Sequence, residues 1–466
     1  VTPTPGGRRL ATITIPAPDL RPEVFLRHAA GQPRGFWARD ERWVAHQGVT
    51  ADLGATGADR GDRFGNVAAA AAALARYPLL APDTARAPRV RLYGGFSFRA
   101  DHVAEGAWSA FPSFRFHLPS FELEGDGTGD GWLRARTLVS DEEAGDVLGG
   151  LRHTAEALRA ELASLSEGSV PAGGPVPSRA VATERGAWET AVEESLAAIR
   201  AGVVSKVVLA RTMDIDAPVD PAEVVMHLWG MNRGSHVFLF EPTPGSALVG
   251  AAPETIATLR DGVFHATAVA GSIQRGGSVR EQAELAAALL ASEKDRIEQR
   301  IVVDDLIARL ETVAHQIRAD RQPHVLTLAR IQHLETEIRA SVPAGTGVLD
   351  LLRLLHPTPA VCGLPRDAAL GVLAEEEPFE RGWYAGPVGW FDAEGNGVFA
   401  PALRTAVLHE GVWRLFAGAG IVEGSIPALE WEETGMKLTP VLDALEAAGA
   451  VLFREAEASR EPERQG

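Results

Sequence analysis

Residues 429–438 read L-E-W-E-E-T-G-M-K-L. As a helix, this stretch sets Glu430, Glu433 and Lys437 one turn apart on a single face. Two carboxylates and an ammonium in a column suit a hard cation held beside an anionic ligand. The plain alternative is a solvated face with an i,i+4 Glu–Lys pair. Two other stretches bear on the choice. A glycine run, Phe416-Ala-Gly-Ala-Gly-Ile421, precedes the helix, and an acidic helical pattern over 292–305 can bring a facing carboxylate. There Glu298 stands one turn before Val302 on a partly apolar side, which suits an inward carboxylate; a surface pair with Lys294 is the alternative. Glu293, Asp295, Asp304 and Asp305 read as solvated.

Other residues place polarity where it is costly. Lys206 opens the most apolar strand pattern in the chain, Lys206-Val-Val-Leu-Ala-Arg211. Desolvation or a nearby cation lowers the pKa of a lysine so placed and makes it a base; otherwise it snorkels at a strand end. Glu254 follows Ala-Ala-Pro253, where proline ends regular pairing. Turned into apolar surroundings it becomes a general acid; in a solvated turn it does nothing. Arg404, within P-A-L-R-T-A-V-L, needs a partner in a strand, and a ligand carboxylate paired in bidentate fashion would supply one. His333, in R-I-Q-H-L-E, reads as a structural histidine with its bonds satisfied. Small residues at Gly271-Ser272, in A-V-A-G-S-I-Q-R-G-G, and at Gly418 and Gly420 let backbone amides approach an anion. The turn-rich loop H-P-T-P-A-V-C-G at 356–363 has the size to line a pocket.

The elements that must hold these residues alternate in type. A Pro-rich start gives way to a strand pattern at 10–15. Residues 36–139 read as strands and turns with one Ala-rich helix around 67–76, and 141–166 as a helix. The Pro-, Gly- and Ser-rich run over 166–180 reads as a linker, with a long surface loop within one fold as the alternative. It divides an N-terminal part, 1–170, from a region holding the chemistry, 180–455, with a disordered tail at 456–466. Beyond the linker come a helix over 184–201, strands at 206–211 and 236–240 around a helix at 221–229, and a strand pair over 247–259 kinked at Pro253. One long helix over 278–310 follows, then strands at 325–328 and 331–338 and a short helix at 350–355. A hairpin over 384–391 and 397–408, another over 412–422 and a last helix to 448 complete the chain. Hairpin-linked strands between helices point to an antiparallel α+β fold.

Composition sets the outer limits. A chain of 466 residues buries a large core, as one big domain or two to three ordinary ones. Its net charge of −17 argues against nonspecific binding to nucleic acid or anionic membranes. Cys362 is the single cysteine, which excludes an internal disulfide and a cysteine metal cluster. No apolar run reaches the ~18 residues of a membrane helix, and the first residues lack an apolar signal core. A cytoplasmic protein is the expectation.

The motifs are not independent of one another. S-K-V-V-L-A-R, A-A-P-E-T, A-G-S-I-Q-R-G, S-E-K-D-R-I-E-Q, H-P-T-P-A-V-C-G, A-G-P-V-G-W, A-G-A-G-I-V and E-W-E-E-T-G-M-K stand in the order found in chorismate-utilising enzymes. That family includes isochorismate, anthranilate, aminodeoxychorismate and salicylate synthases. The resemblance is highly specific over residues 183–453 and loose over the first 170. It implies two antiparallel sheets packed face to face with helices outside. It also implies that Lys206 activates water and that Glu254 protonates the leaving hydroxyl. Glu298 and Glu433 would hold Mg²⁺ against a ring carboxylate, with Glu430 in support. Gly271, Ser272, His333, Ala360, Tyr384, Arg404, Gly418, Ala419 and Lys437 would line the substrate. Lysine at 206 goes with water addition, where anthranilate synthases carry glutamine. Alanine at 360 resembles isochorismate synthases, where ammonia users and salicylate synthases tend to have threonine. The expectation is a monomeric, Mg²⁺-dependent isochorismate synthase without an amidotransferase subunit, serving menaquinone or catecholate siderophore synthesis. A salicylate synthase and a non-catalytic chorismate binder are the alternatives.

Overall fold

The structure, a computed structural model, describes residues 8–55, 61–81, 90–140, 146–166 and 176–452. The middle of the expected linker, the first residues of the 141–166 helix and the expected tail lie outside them.

The strand patterns assemble into two mostly antiparallel sheets, of 14 and 10 strands. In the larger, Val176–Ala182 pairs with Lys206–Asp216, which is followed across the sheet by Val412–Ile421, Thr405–His409, Ser246–Ala252 and His236–Thr243. The N-terminal strands Arg34–Arg39 and Arg42–Gln47 continue it. In the smaller, Ile331–Ser341 lies beside Val263–Gln274, then come Ala257–Arg260, Gly397–Pro401, Pro387–Asp392 and the N-terminal Arg91–Phe96. Strands from before and after the expected linker therefore share both sheets. An apolar layer that includes Phe238, Leu248, Val388 and Val398 packs between them, and Phe240 stacks on Trp383 at 5.7 Å. Each buried large apolar side chain of this kind contributes about 1.5–3 kcal/mol. The helices Val147–Ser166, Pro221–Met231 and Pro427–Ala447 send apolar faces into one outer core, and Arg63–Ala75, Glu293–Leu310 and Val348–Leu355 into the other. This is the α+β sandwich expected above.

Several local expectations are corrected. The long helix over 278–310 is two, Val279–Ala291 and Glu293–Leu310. Ser292 breaks it, with extended backbone and its hydroxyl capping the second helix by accepting from the Asp295 amide at 3.3 Å. Gly271-Ser272 is no loop: it interrupts the Val263–Gln274 strand as a bulge, with Gly271 at φ +72°. The end of the linker, from Val176, is a strand. Residues 397–408 do not form one strand. Gly397–Pro401 lies in the smaller sheet and Thr405–His409 in the larger, and the crossing turns at Arg404, held at φ +46°. The chain makes a second crossing between Ser246–Ala252 and Ala257–Arg260, and Glu254 sits in it. Helices Pro22–His28 and Arg366–Glu376 were not foreseen.

Candidate active site

Both crossings open onto one cavity at the seam between the sheets. Glu254, Gly271, Ser272, Glu298, His333, Ala360, Tyr384, Arg404, Gly418, Gly420, Glu433 and Lys437 line it. Most of the residues singled out in the sequence, drawn from Glu254 to Lys437, thus converge. Lys206, Ala419 and Glu430 do not line it. Ala419 pairs with Leu209 and turns its side chain to the opposite face of the strand from Gly418 and Gly420, into apolar packing.

Lys206 is fully buried, and its Nζ stands 3.0 Å from Glu298 Oε1. Burial opposes ionisation of Glu298, but the ammoniums of Lys206 and Lys294 outweigh it and hold the carboxyl below its ordinary range. The Lys206 strand runs beside Val412–Ile421, with Val208 opposite Gly420. A Cβ at Gly420 would come within 2.8 Å of the Glu298 carboxyl carbon and 3.1 Å of Lys206 Cε. Gly420→Ala is therefore expected to push this pair apart and to lower activity and thermal stability together.

Glu254 has the opposite character. Its carboxyl is buried, and no hydrogen-bond partner meets its Oε1 among the described residues. Burial pushes its pKa up to about 8, with Lys206 opposing and Glu335 adding to the rise. At neutral pH it is a carboxylic acid holding a proton beside a cavity, which is what proton donation to a leaving group needs.

Arg404 is buried and meets no carboxylate among the described residues. Burial lowers its pKa to about 10, so it remains a cation. One Nη donates to His333 Nε2 at 2.6 Å. A guanidinium can only donate, so Nε2 is the acceptor and Nδ1 carries the ring proton. Nδ1 then donates to the Gly271 carbonyl at 3.1 Å, with Ser272 Oγ also at 3.1 Å. Burial, then Arg404 and Lys437, keep this histidine neutral, well below its usual pKa. His333 thus has its ring hydrogen bonds satisfied and orients Arg404 while lining the cavity.

On the last helix Lys437 Nζ lies 2.6 Å from Glu433 Oε1 and donates to the Gly418 carbonyl at 2.9 Å. Glu430 is held instead by Lys294, at 2.8 Å. Three lysines thus each hold one carboxylate, and Arg404 is left over as a positive charge facing the cavity. A small anion is the ligand this arrangement calls for.

A family model described as chorismate binding enzyme matches residues 4–446. The chain belongs to the chorismate-binding enzymes. It is 38% identical over 362 residues to a salicylate biosynthesis isochorismate synthase of Pseudomonas aeruginosa, covering 78% of this chain and 75% of that one. It is 33% identical over 357 residues to the isochorismate synthase MenF of Bacillus subtilis, covering 76% and 74%. The solved structure of MenF, the menaquinone-specific isochorismate synthase from Escherichia coli, matches with a TM-score of 0.76 at 26% identity, over 94% of this chain and 95% of that one.

In this chorismate-binding enzyme the donors fit a hard divalent cation. Glu298 and Glu433 present carboxylate oxygens to the same cavity. No cluster of three or more His, Cys, Asp or Glu side chains suited to a metal forms among the described residues. Mg²⁺ is commonly bound in this way, by one or two carboxylates completed by ligand oxygens and water rather than by an all-protein cage. Two features escaped the sequence. Asp295, read as solvated, is half-buried against the Gly271 bulge, and burial raises its pKa. Lys294, read as a surface partner of Glu298, crosses to another helix; helical spacing counts neighbours on one helix and cannot reveal that. No helix among the described residues is long and apolar enough to cross a membrane.

Proposed function

We propose that the chain is an isochorismate synthase, interconverting chorismate and isochorismate. The observation that carries this assignment is the pairing, in one cavity, of a buried protonated carboxyl at Glu254 with an arginine, Arg404, that lacks an anion. Arg404, aimed by His333, binds a carboxylate of the dianionic substrate, with backbone amides of the glycine strand beside it. Lys206, once it has given up the proton of its ion pair with Glu298, takes a proton from the water that attacks C2 of the ring. The double bonds shift, and the C4 hydroxyl leaves as water on receiving the Glu254 proton. Atoms balance: one water enters and one leaves. The Lys206 amine lies behind Glu298 and Gly420, so this step requires the Glu298 carboxylate to move off it. Glu298 and Glu433 are the residues that would hold Mg²⁺, which would neutralise the ring carboxylate and stabilise charge developing beside it.

The near-full-length likeness to the menaquinone-specific structure supports an assignment to menaquinone supply. Incubating the purified chain with chorismate and Mg²⁺ and separating the products tests the activity. Isochorismate is the expected product. Pyruvate and salicylate would instead identify a salicylate synthase, and unchanged chorismate that remains bound would identify a binder.

A further inference from the structure

The strand that opens with Lys206, Lys206–Asp216, is unequally supported on its two edges. Val412–Ile421 covers one edge from Val207 to Asp216. The other edge meets the short strand Gly363–Leu364 at Lys206 and Val207, and Val176–Ala182 from Met213 onwards. Between these two, no strand pairs with it among the described residues, and its buried backbone groups need other partners. A buried ion pair supplies them. Glu377 follows the helix Arg366–Glu376 and accepts from the Ala210 amide at 2.8 Å. Arg381 donates through Nη2 to the Val208 carbonyl at 2.6 Å and through Nη1 to the Val361 carbonyl at 2.9 Å. Its Nε donates to Glu377 Oε2 at 2.7 Å. The same guanidinium lies over the Tyr384 ring, 5.5 Å from the centroid. Val208, Val361 and Tyr384 all line the cavity, whereas Arg381 and Glu377 do not. The three wall residues come from separate places: the larger sheet, the loop over 356–363, and the approach to the smaller-sheet strand Pro387–Asp392.

Resting on the isochorismate synthase reading above, we propose that Arg381, braced by Glu377, is a positioning residue for the reaction. It holds three segments of the cavity wall in one arrangement, and so sets how the substrate ring stands against the reacting groups. A planar guanidinium serves a carboxylate, two carbonyls and a ring at once; an ammonium on a lysine stem does not reproduce that fork. Arg404 and His333 bond to each other and to the Gly271 carbonyl, away from Arg381. Capture of the substrate carboxylate is left to them. Arg381 acts on the chemical step, where a misplacement of about 1 Å costs about 10²-fold. Arg34 provides a matched comparison. It pairs with Glu241 at 2.6 Å, with side chains 3% and 4% exposed against 3% and 3% for Arg381 and Glu377. Neither Arg34 nor Glu241 lines the cavity.

The test compares Arg381→Lys with Arg34→Lys in the full chain. The readouts are kcat and KM for chorismate with Mg²⁺, denaturant melts, and fluorine NMR of chain labelled with fluorotyrosine. The chain has three tyrosines, Tyr77, Tyr93 and Tyr384, and Tyr384→Phe identifies the resonance of the last. Both lysine variants are expected to lose stability, since each disturbs a buried ion pair. Arg381→Lys is expected to lower kcat about 10²-fold with KM nearly unchanged, and to shift the Tyr384 resonance. Arg34→Lys is expected to keep the wild-type kcat and the wild-type Tyr384 resonance. If the melts show that Arg381→Lys does not fold, Glu377→Gln takes its place; it keeps the guanidinium and an acceptor for the Ala210 amide, and the same split is expected. Equal kcat in the two lysine variants, both folded, overturns the proposal. A loss confined to KM or an unmoved Tyr384 resonance overturns it equally. If the wild-type chain makes no isochorismate, the functional reading fails instead, and the Tyr384 resonance alone decides whether Arg381 positions the wall.

Discussion

Replacing Glu254 by glutamine is expected to lower chorismate turnover about 10²–10⁴-fold while leaving the fold intact. The amide occupies the same space but has no acidic proton to give. The pH profiles of the two proteins separate this role from a packing role. In the wild type, turnover should fall as pH rises through about 8, where the buried carboxyl loses its proton. Stability carries the same signature. Between an unfolded value near 4.5 and a folded value of about 8, the folded chain holds one proton more than the unfolded chain at this position. Stability therefore declines with rising pH across that window, by about 1.4 kcal/mol per pH unit from this group. Glu254→Gln removes that slope, so denaturant melts of the two proteins should diverge towards alkaline pH, with the inactive variant the more stable. Turnover close to wild type in Glu254→Gln would remove Glu254 from the mechanism.

Lys206→Met is expected to be as damaging to turnover and, unlike the first substitution, damaging to the fold. It removes the proposed base and leaves the buried Glu298 carboxylate without its nearest counter-charge. Breaking a buried pair from one side costs about 3–5 kcal/mol. Adding Glu298→Gln to Lys206→Met neutralises the stranded carboxylate, so most of the stability should return and none of the activity. Chemical denaturation of the single and double variants, alongside product analysis, measures both outcomes. A single variant as stable as wild type would mean that the 3.0 Å contact contributes nothing.

The site was legible in the sequence to the extent that its signals were local. Lys206 at the mouth of an apolar strand, Glu254 after a proline and Glu298 on an apolar helix side each announce a polar group in a costly place, and all three are buried. The sandwich was legible because antiparallel strands joined by short turns alternate visibly. What stayed hidden depends on partners far along the chain. Alternation marks a strand but not its sheet, so residues 397–408 read as one strand although they divide between two. The run of small residues around Gly271 blurs alternation and conceals both the strand and its bulge. Lys294 finds Glu430 136 residues away, a contact no helical wheel contains.

The two places where the polypeptide passes from one sheet to the other have a consequence for how this enzyme can fail. The proposed proton donor and the proposed carboxylate-binding cation each sit at an elbow, Glu254 at one and Arg404 at the other, so neither sheet alone holds the proposed chemistry. Their relative placement is inherited from the grip of aromatic rings such as Phe240 and Trp383 deep in the interior. Mutations that loosen that grip without unfolding either layer would let the elbows drift, and catalysis would fade while spectroscopic measures of secondary structure still looked native.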